Sequence, residues 1–117
     1  MDLPFHPDLP AAFLTTRAYP HDPHHVTLIE THISWVFLAD KLAYKVKKPV
    51  SLHFLDFSTL DRRRHVCEEE LRLNRRFAPQ IYLGLSRVTR TADGRVAIDG
   101  TGEVVDYAVR MRAFDRE

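Results

Sequence analysis

Little in this chain can cross-link, span a bilayer or carry a large net charge. Cys67 is the single cysteine among 117 residues, so no internal disulfide can form, which fits a reducing compartment. No apolar run approaches the ~18 residues that a membrane helix needs. Met1-Asp2-Leu3-Pro4 has neither the basic start nor the apolar core of a signal peptide. The expectation is a soluble cytoplasmic protein with no membrane partner. Seventeen Lys and Arg face sixteen Asp and Glu, a net charge of +1, and this balance argues against a nucleic-acid partner. Glycine is scarce as well: there are four in all, and none in Glu30–Ser34.

What is present reads as one ordinary globular domain, 44% hydrophobic and 28% charged. Residues 1–10 hold three prolines and read as a lead-in; Pro10–Leu14 can form a short helix with proline in its first turn. Tyr19–His25 carries two prolines and three histidines. Its spacing matches no metal motif, so it reads as a solvated loop. Residues 1–25 together read as an N-terminal extension.

From Val26 the pattern alternates with a period of two. Strands are expected at Val26–Glu30, Trp35–Leu38 and Leu42 onward to Pro49, in a meander with turns at Glu30–Ser34 and Asp40-Lys41. In the third strand Ala43, Lys45 and Lys47 share one face, and Leu42, Tyr44 and Val46 the other. Val50–Phe57 reads as an apolar-rich connection. Ser58-Thr59-Leu60-Asp61 resembles a capping box and opens a helix that runs to about Phe77, limited by Pro79. At about 100° per residue from Val66, Phe77 falls near 20°, Glu70 near 40°, Asn74 near 80° and Cys67 near 100°, whereas Glu68 and Glu69 point away. Glu70 thus sits within the inward face. A buried carboxylate needs a cation, which Lys45 or Lys47 can provide; otherwise Glu70 snorkels to water. His32 and Trp35 read as loop and core residues. Arg62-Arg63-Arg64 and Arg75-Arg76 read as a solvated face.

Beyond the helix, Ile81–Val88, Val96–Ile98 and Val104–Met111 are strands. Asp93-Gly94 signals a tight two-residue hairpin, and a second turn falls at Asp99–Gly102. The fold class is α+β: an antiparallel sheet of about five strands with one long helix packed on it.

Four phrases carry a resemblance: Glu30–Leu38, Ala43–Val50, Phe54–Leu60 and Cys67–Arg76. In this order they resemble an uncharacterised bacterial branch of the aminoglycoside phosphotransferase-like kinases, over nearly the whole chain. The resemblance implies the nucleotide-binding N-terminal lobe of a protein-kinase-like fold, spanning residues 1–117. It implies transfer of the ATP γ-phosphate to a hydroxyl of an unknown small-molecule acceptor. Leu42-Ala43-Tyr44-Lys45 matches the strand motif that holds ATP. Ala43 would lie over the adenine, Lys45 on the phosphates and Glu70 in the role of the helix glutamate, while Met111 and Ala113 flank the crossing to a second lobe. Lys47 shares the face of Lys45, but choosing it would put Lys45 over the adenine. The glycine-rich phosphate-covering loop is absent, leaving backbone N–H groups and the hydroxyls of Thr31 and Ser34 to approach phosphate.

No catalytic loop and no Mg²⁺ ligands follow, so the catalytic residues belong to an absent C-terminal lobe, and a P-loop ATPase domain often follows in this branch. The chain alone is therefore expected to be inactive. Its sheet is expected to bury one face under the helix and offer part of the other to the cleft, leaving apolar surface along Val104–Met111. The alternative is a non-catalytic module that binds a nucleotide or a partner on a kinase-like scaffold.

Overall fold

The computed structural model describes residues 9–48, 51–52 and 55–113. A short helix α1 (Leu9–Ala12) and a 3-10 turn (Thr16–Ala18) lead into strands β1 (Val26–Glu30), β2 (Ser34–Ala39) and β3 (Leu42–Lys47). A small ribbon of β4 (Ser51–Leu52) and β5 (Leu55–Asp56) occupies the expected connection. Pro49, Val50 and Phe54 lie outside the described residues. The long helix α2 (Leu60–Arg75) follows, then β6 (Tyr82–Arg90), β7 (Val96–Ile98) and β8 (Glu103–Arg112).

Six of these strands form one antiparallel sheet in the order β1-β2-β3-β8-β6-β7. The count is the upper end of the expected five or six, because β7 joins the sheet by pairing with β6 through Val88↔Ile98 to Arg90↔Val96. The last strand enters the centre, between β3 and β6, and ties the meander to the second half of the chain. Its register against β6 slips between Val88 and Thr89, where Val105 is the extra residue on β8. The loop joining β6 to β7 has five residues, Thr91–Arg95, rather than the expected two. Gly94 takes φ 92° there, the left-handed region that glycine enters without strain.

The helix begins one residue later than a Ser58 cap would place it. Thr59 is the N-cap, and its side chain accepts the Arg62 N–H at 3.2 Å. Arg62 therefore stands where a capping box would need Glu or Gln, and Asp61 instead supplies acidic charge to the first turn. Arg72 and Arg75 complement the other end. Arg64–Glu68 and Glu69–Arg72 pair along the exposed side at 3.2 and 2.8 Å. The helix stops at Arg75, short of the expected Phe77, which is 84% exposed.

Two layers of side chains flank the sheet. On the face of α2 lie Ala43, Phe57, Cys67 and Val109, all buried. On the opposite face Trp35, Phe37, Tyr44, Val46, Val88 and Ala108 pack beneath Phe13, Ala18 and Tyr19. The Phe13 ring lies 5.3 Å from Phe37, Tyr19 lies 5.3 Å from Tyr44, and the Tyr19 hydroxyl donates to the Phe13 carbonyl at 2.7 Å. Within the expected N-terminal extension, Phe13, Ala18 and Tyr19 are therefore core residues. The large apolar groups exposed among the described residues are Leu14, Leu73 and Phe77. The apolar surface expected along Val104–Met111 is absent, since β8 lies centrally and each of its apolar residues is buried or half-buried.

Candidate functional site

Strand β3 places its lysines by alternation alone. Ala43, Lys45 and Lys47 face one way, opposite Leu38, Val36 and Ser34 of β2. From the other side α2 points Glu70 at the same spot. Glu70 Oε2 lies 2.9 Å from Lys45 Nζ, and Oε1 lies 2.6 Å from Lys47 Nζ. One carboxylate thus holds both lysines that the sequence leaves as alternatives. Exposure separates them: the Lys47 side chain is 7% exposed and that of Lys45 27%, with Glu70 at 15%. Lys47 Nζ also sits 5.9 Å from the centre of the Phe57 ring.

Burial is the largest influence on the Glu70 carboxyl, and it favours the neutral acid. Hydrogen bonds from Lys47 and Lys45, together with their charges, outweigh it and hold the carboxyl below its ordinary range. The helix adds a clamp of its own, because the Asn74 side-chain amide donates to the Glu70 carbonyl at 2.7 Å. Nearby, burial pushes the Cys67 thiol up to about 12, so Cys67 acts as core rather than nucleophile.

Beside Lys45 the same face opens into a pocket of about 180 Å³. Ile29, Val36, Leu38 and Ala43 form its apolar wall, and Met111, Arg112 and Ala113 close the end where β8 runs out. The Ala113 N–H donates to the Lys41 carbonyl at 2.8 Å, fixing that end against the β2–β3 turn. The pocket and α2 therefore occupy the same face of the sheet, not opposite faces as expected, and the far face is closed by residues 13–19. A larger cavity of about 630 Å³ lies between residues 12–18 and the β6–β7 hairpin. It is remote from the Lys–Glu cluster, so the smaller pocket is the chemical candidate.

Thr31 and Ser34 sit at the β1–β2 turn with both backbone N–H groups and the Thr31 hydroxyl engaged within it. The Thr31 N–H donates to the Ser34 carbonyl at 2.9 Å, and the Ser34 N–H donates to Thr31 Oγ1 at 3.0 Å. Thr31 Oγ1 in turn donates to the Ser34 carbonyl at 3.2 Å, and Ser34 is buried. Lys48 reaches Glu30 and lies over the Trp35 ring, which pins the turn to the end of β3. Ala43, Lys45, Met111 and Ala113 come together at one pocket; Lys47 and Glu70 adjoin it through Lys45, while Thr31 and Ser34 stay in their own turn.

One buried ion pair escapes the reading of the arginines as a solvated face. Arg63 is fully buried; its Nε lies 3.1 Å from Asp106 Oδ1 and its Nη1 donates to the Phe57 carbonyl at 3.0 Å. On the wheel that places Glu70 near 40° and Asn74 near 80°, Arg63 falls near 60°, in the middle of the inward face. That angle was the available signal. Arg62 and Arg64 stay exposed, and Arg64 stacks over the Tyr107 ring at 5.4 Å. Among the described residues no cluster of three His, Cys, Asp or Glu side chains could hold a metal ion, and no helix is long and apolar enough to cross a membrane.

No family model matches the chain, and no solved structure matches it. Over 88 residues it is 39% identical to an uncharacterized protein of Mycobacterium bovis and to uncharacterized proteins of two Mycobacterium tuberculosis strains, H37Rv and CDC 1551. The match covers 74% of this chain but 18% of each relative, so the chain spans under a fifth of the length of the curated relatives it matches.

Proposed function

We propose that this chain is the ATP-binding lobe of a small-molecule kinase of the aminoglycoside phosphotransferase-like type. The observation that carries the reading is Lys45: it lines an apolar pocket and is ion-paired to a glutamate from the helix that follows its strand. A lysine held in this way is a cation kept beside a slot for a flat apolar ring, which is what a nucleotide triphosphate requires. The connectivity supports the same reading, with a three-strand meander, a helix, and a last strand returning beside the third. Drug-sized ligands fill roughly 300–1,000 Å³. A pocket of about 180 Å³ therefore takes the base and leaves the ribose and phosphates to extend past Lys45.

In this reading Ala43 keeps the pocket floor low enough for the ring, and the backbone near Met111 and Ala113 borders its edge. Lys45 neutralises phosphate charge, and Glu70 holds Lys45 beside the pocket until the ligand arrives. ATP supplies the transferable phosphoryl group. A Mg²⁺ ion, where one accompanies ATP, would neutralise phosphate charge, and in this reading its protein ligands belong to a second lobe. The acceptor hydroxyl, its base and a second lobe likewise lie beyond these residues. Phosphoryl transfer is mostly positioning and charge stabilisation, so the chain alone is expected to bind ATP without turning it over.

A second reading, a non-catalytic nucleotide-binding module on the same scaffold, draws on one observation. The β1–β2 turn spends the backbone N–H groups of Thr31 and Ser34 and the Thr31 hydroxyl on itself rather than holding them open for phosphate. Photolabelling with 8-azido-ATP tests the shared part of both readings. Label competed by ATP should map to the peptides carrying Ala43 or Met111. Label spread over the surface, or concentrated on the β6–β7 hairpin, would reject the site.

A further inference from the structure

We infer that the two lysines have different roles: Lys47 is the standing counter-ion of Glu70, and Lys45 is the exchangeable cation that leaves the carboxylate for an anionic ligand. The inference rests on the nucleotide reading and adds to it a positioning residue, Lys47.

A lone Lys–Glu pair presents a ligand with a difficulty. The pair is neutral, and drawing the lysine toward phosphate strands a part-buried carboxylate without compensation. Here each Glu70 oxygen has its own lysine, Oε1 with Lys47 and Oε2 with Lys45. The trio carries a net charge of +1 before any ligand arrives. When Lys45 turns toward phosphate, Glu70 keeps Lys47 and stays ionised.

The surroundings assign which lysine stays. Lys47 is at the shorter distance, is 7% exposed, lies under the Phe57 ring and pairs across the sheet with buried Ser34. Lys45 is 27% exposed and lines the pocket. A ligand reaches Lys45 without displacing any part of the core.

Amine labelling of the whole chain with an acylating reagent, read by peptide mass spectrometry, tests the division without any substitution. Lys45 should label several-fold faster than Lys47, and ATP should protect Lys45 alone. Equal labelling of the two, or protection of Lys47 by ATP, overturns the inference. If ATP protects neither lysine while the labelling ratio holds, the nucleotide reading falls, and the assignment of Lys47 as counter-ion survives.

Variants add a readout that a merely structural role does not move. In Lys47→Met, Glu70 has Lys45 alone, the trio becomes neutral, and affinity for inorganic tripolyphosphate should drop on the order of tenfold. The double variant Lys47→Met/Glu70→Gln leaves Lys45 free again and should restore both the affinity and the labelling of Lys45. A double variant that binds as weakly as Lys47→Met contradicts the inference.

Discussion

Arg63 and Asp106 stand 43 residues apart in the chain and meet at 3.1 Å with both side chains buried. The pair fastens the first turn of α2 to the central strand β8, while the Arg63 bond to the Phe57 carbonyl holds the approach to the helix. Asp106 Oδ1 also accepts the Tyr107 N–H at 2.8 Å, so the carboxylate is oriented from both sides.

Breaking such a pair leaves an uncompensated buried charge, which costs about 3–5 kcal/mol. Arg63→Met and Asp106→Asn should each lose stability on that scale in urea unfolding. This is a large share of the ~5–15 kcal/mol of a small domain. The double replacement Arg63→Met/Asp106→Asn should cost less than the sum of the singles. Single losses below about 1 kcal/mol would mean that the pair is solvated in solution.

Stability should fall at both ends of the pH range, for opposite reasons. The folded Glu70 carboxyl is held below its ordinary 4.5, so the folded state binds fewer protons than the unfolded chain. Its contribution is present above that ordinary value and is lost as pH falls through the depressed one. Glu70→Gln should flatten the acid limb. The Cys67 thiol runs the other way, raised from 9.0 to about 12 by burial. Its contribution is complete below 9.0 and lost as pH rises toward 12; burial also raises the Tyr19 and Tyr44 hydroxyls, so Cys67→Ala should make that limb shallower without removing it. Urea midpoints measured across pH would show both slopes, and an acid limb unchanged in Glu70→Gln would remove Glu70 as its source.

The segment before β1 should behave as core. Phe13 is fully buried between Phe37 and Tyr19. Phe13→Ala should therefore cost about 3–5 kcal/mol, the range for a buried aromatic. A cost below about 1 kcal/mol would mean that Phe13 does not pack as core in solution.

Leu73 and Phe77 present an apolar surface at the end of α2, 46% and 84% exposed. Exposed positions of this kind contribute little to folding, so Phe77→Ser should change stability by no more than about 0.5 kcal/mol. Sedimentation velocity should show the wild-type chain self-associating and Phe77→Ser doing so less. Equal association in the two would place the contact elsewhere.

The elements legible in the sequence were those with an unbroken period. The alternation of Leu42–Lys47 put both lysines on one face, and the wheel of α2 turned Glu70 inward; both hold. The wheel also contained Arg63, but its position between Arg62 and Arg64 made it look solvated, and its partner Asp106 lies on a strand whose neighbours only the fold reveals. Strand β7 was readable, yet its three residues did not disclose that they join the main sheet. The packing of Phe13 and Tyr19 was hidden for a different reason. Prolines on both sides signal an irregular chain, and irregular chain can still bury aromatics when a sheet face needs cover. The choice between Lys45 and Lys47 was not settled by pattern, because the carboxylate takes both.

The most direct test of the central claim is a calorimetric titration of ATP into residues 1–117 and into the Lys45→Met chain, with unfolding curves run alongside. Saturable binding by the wild type, lost in Lys45→Met while the variant stays folded, is the predicted result. A wild-type chain that is folded and binds no ATP, or a folded Lys45→Met chain that binds it equally well, would contradict the account.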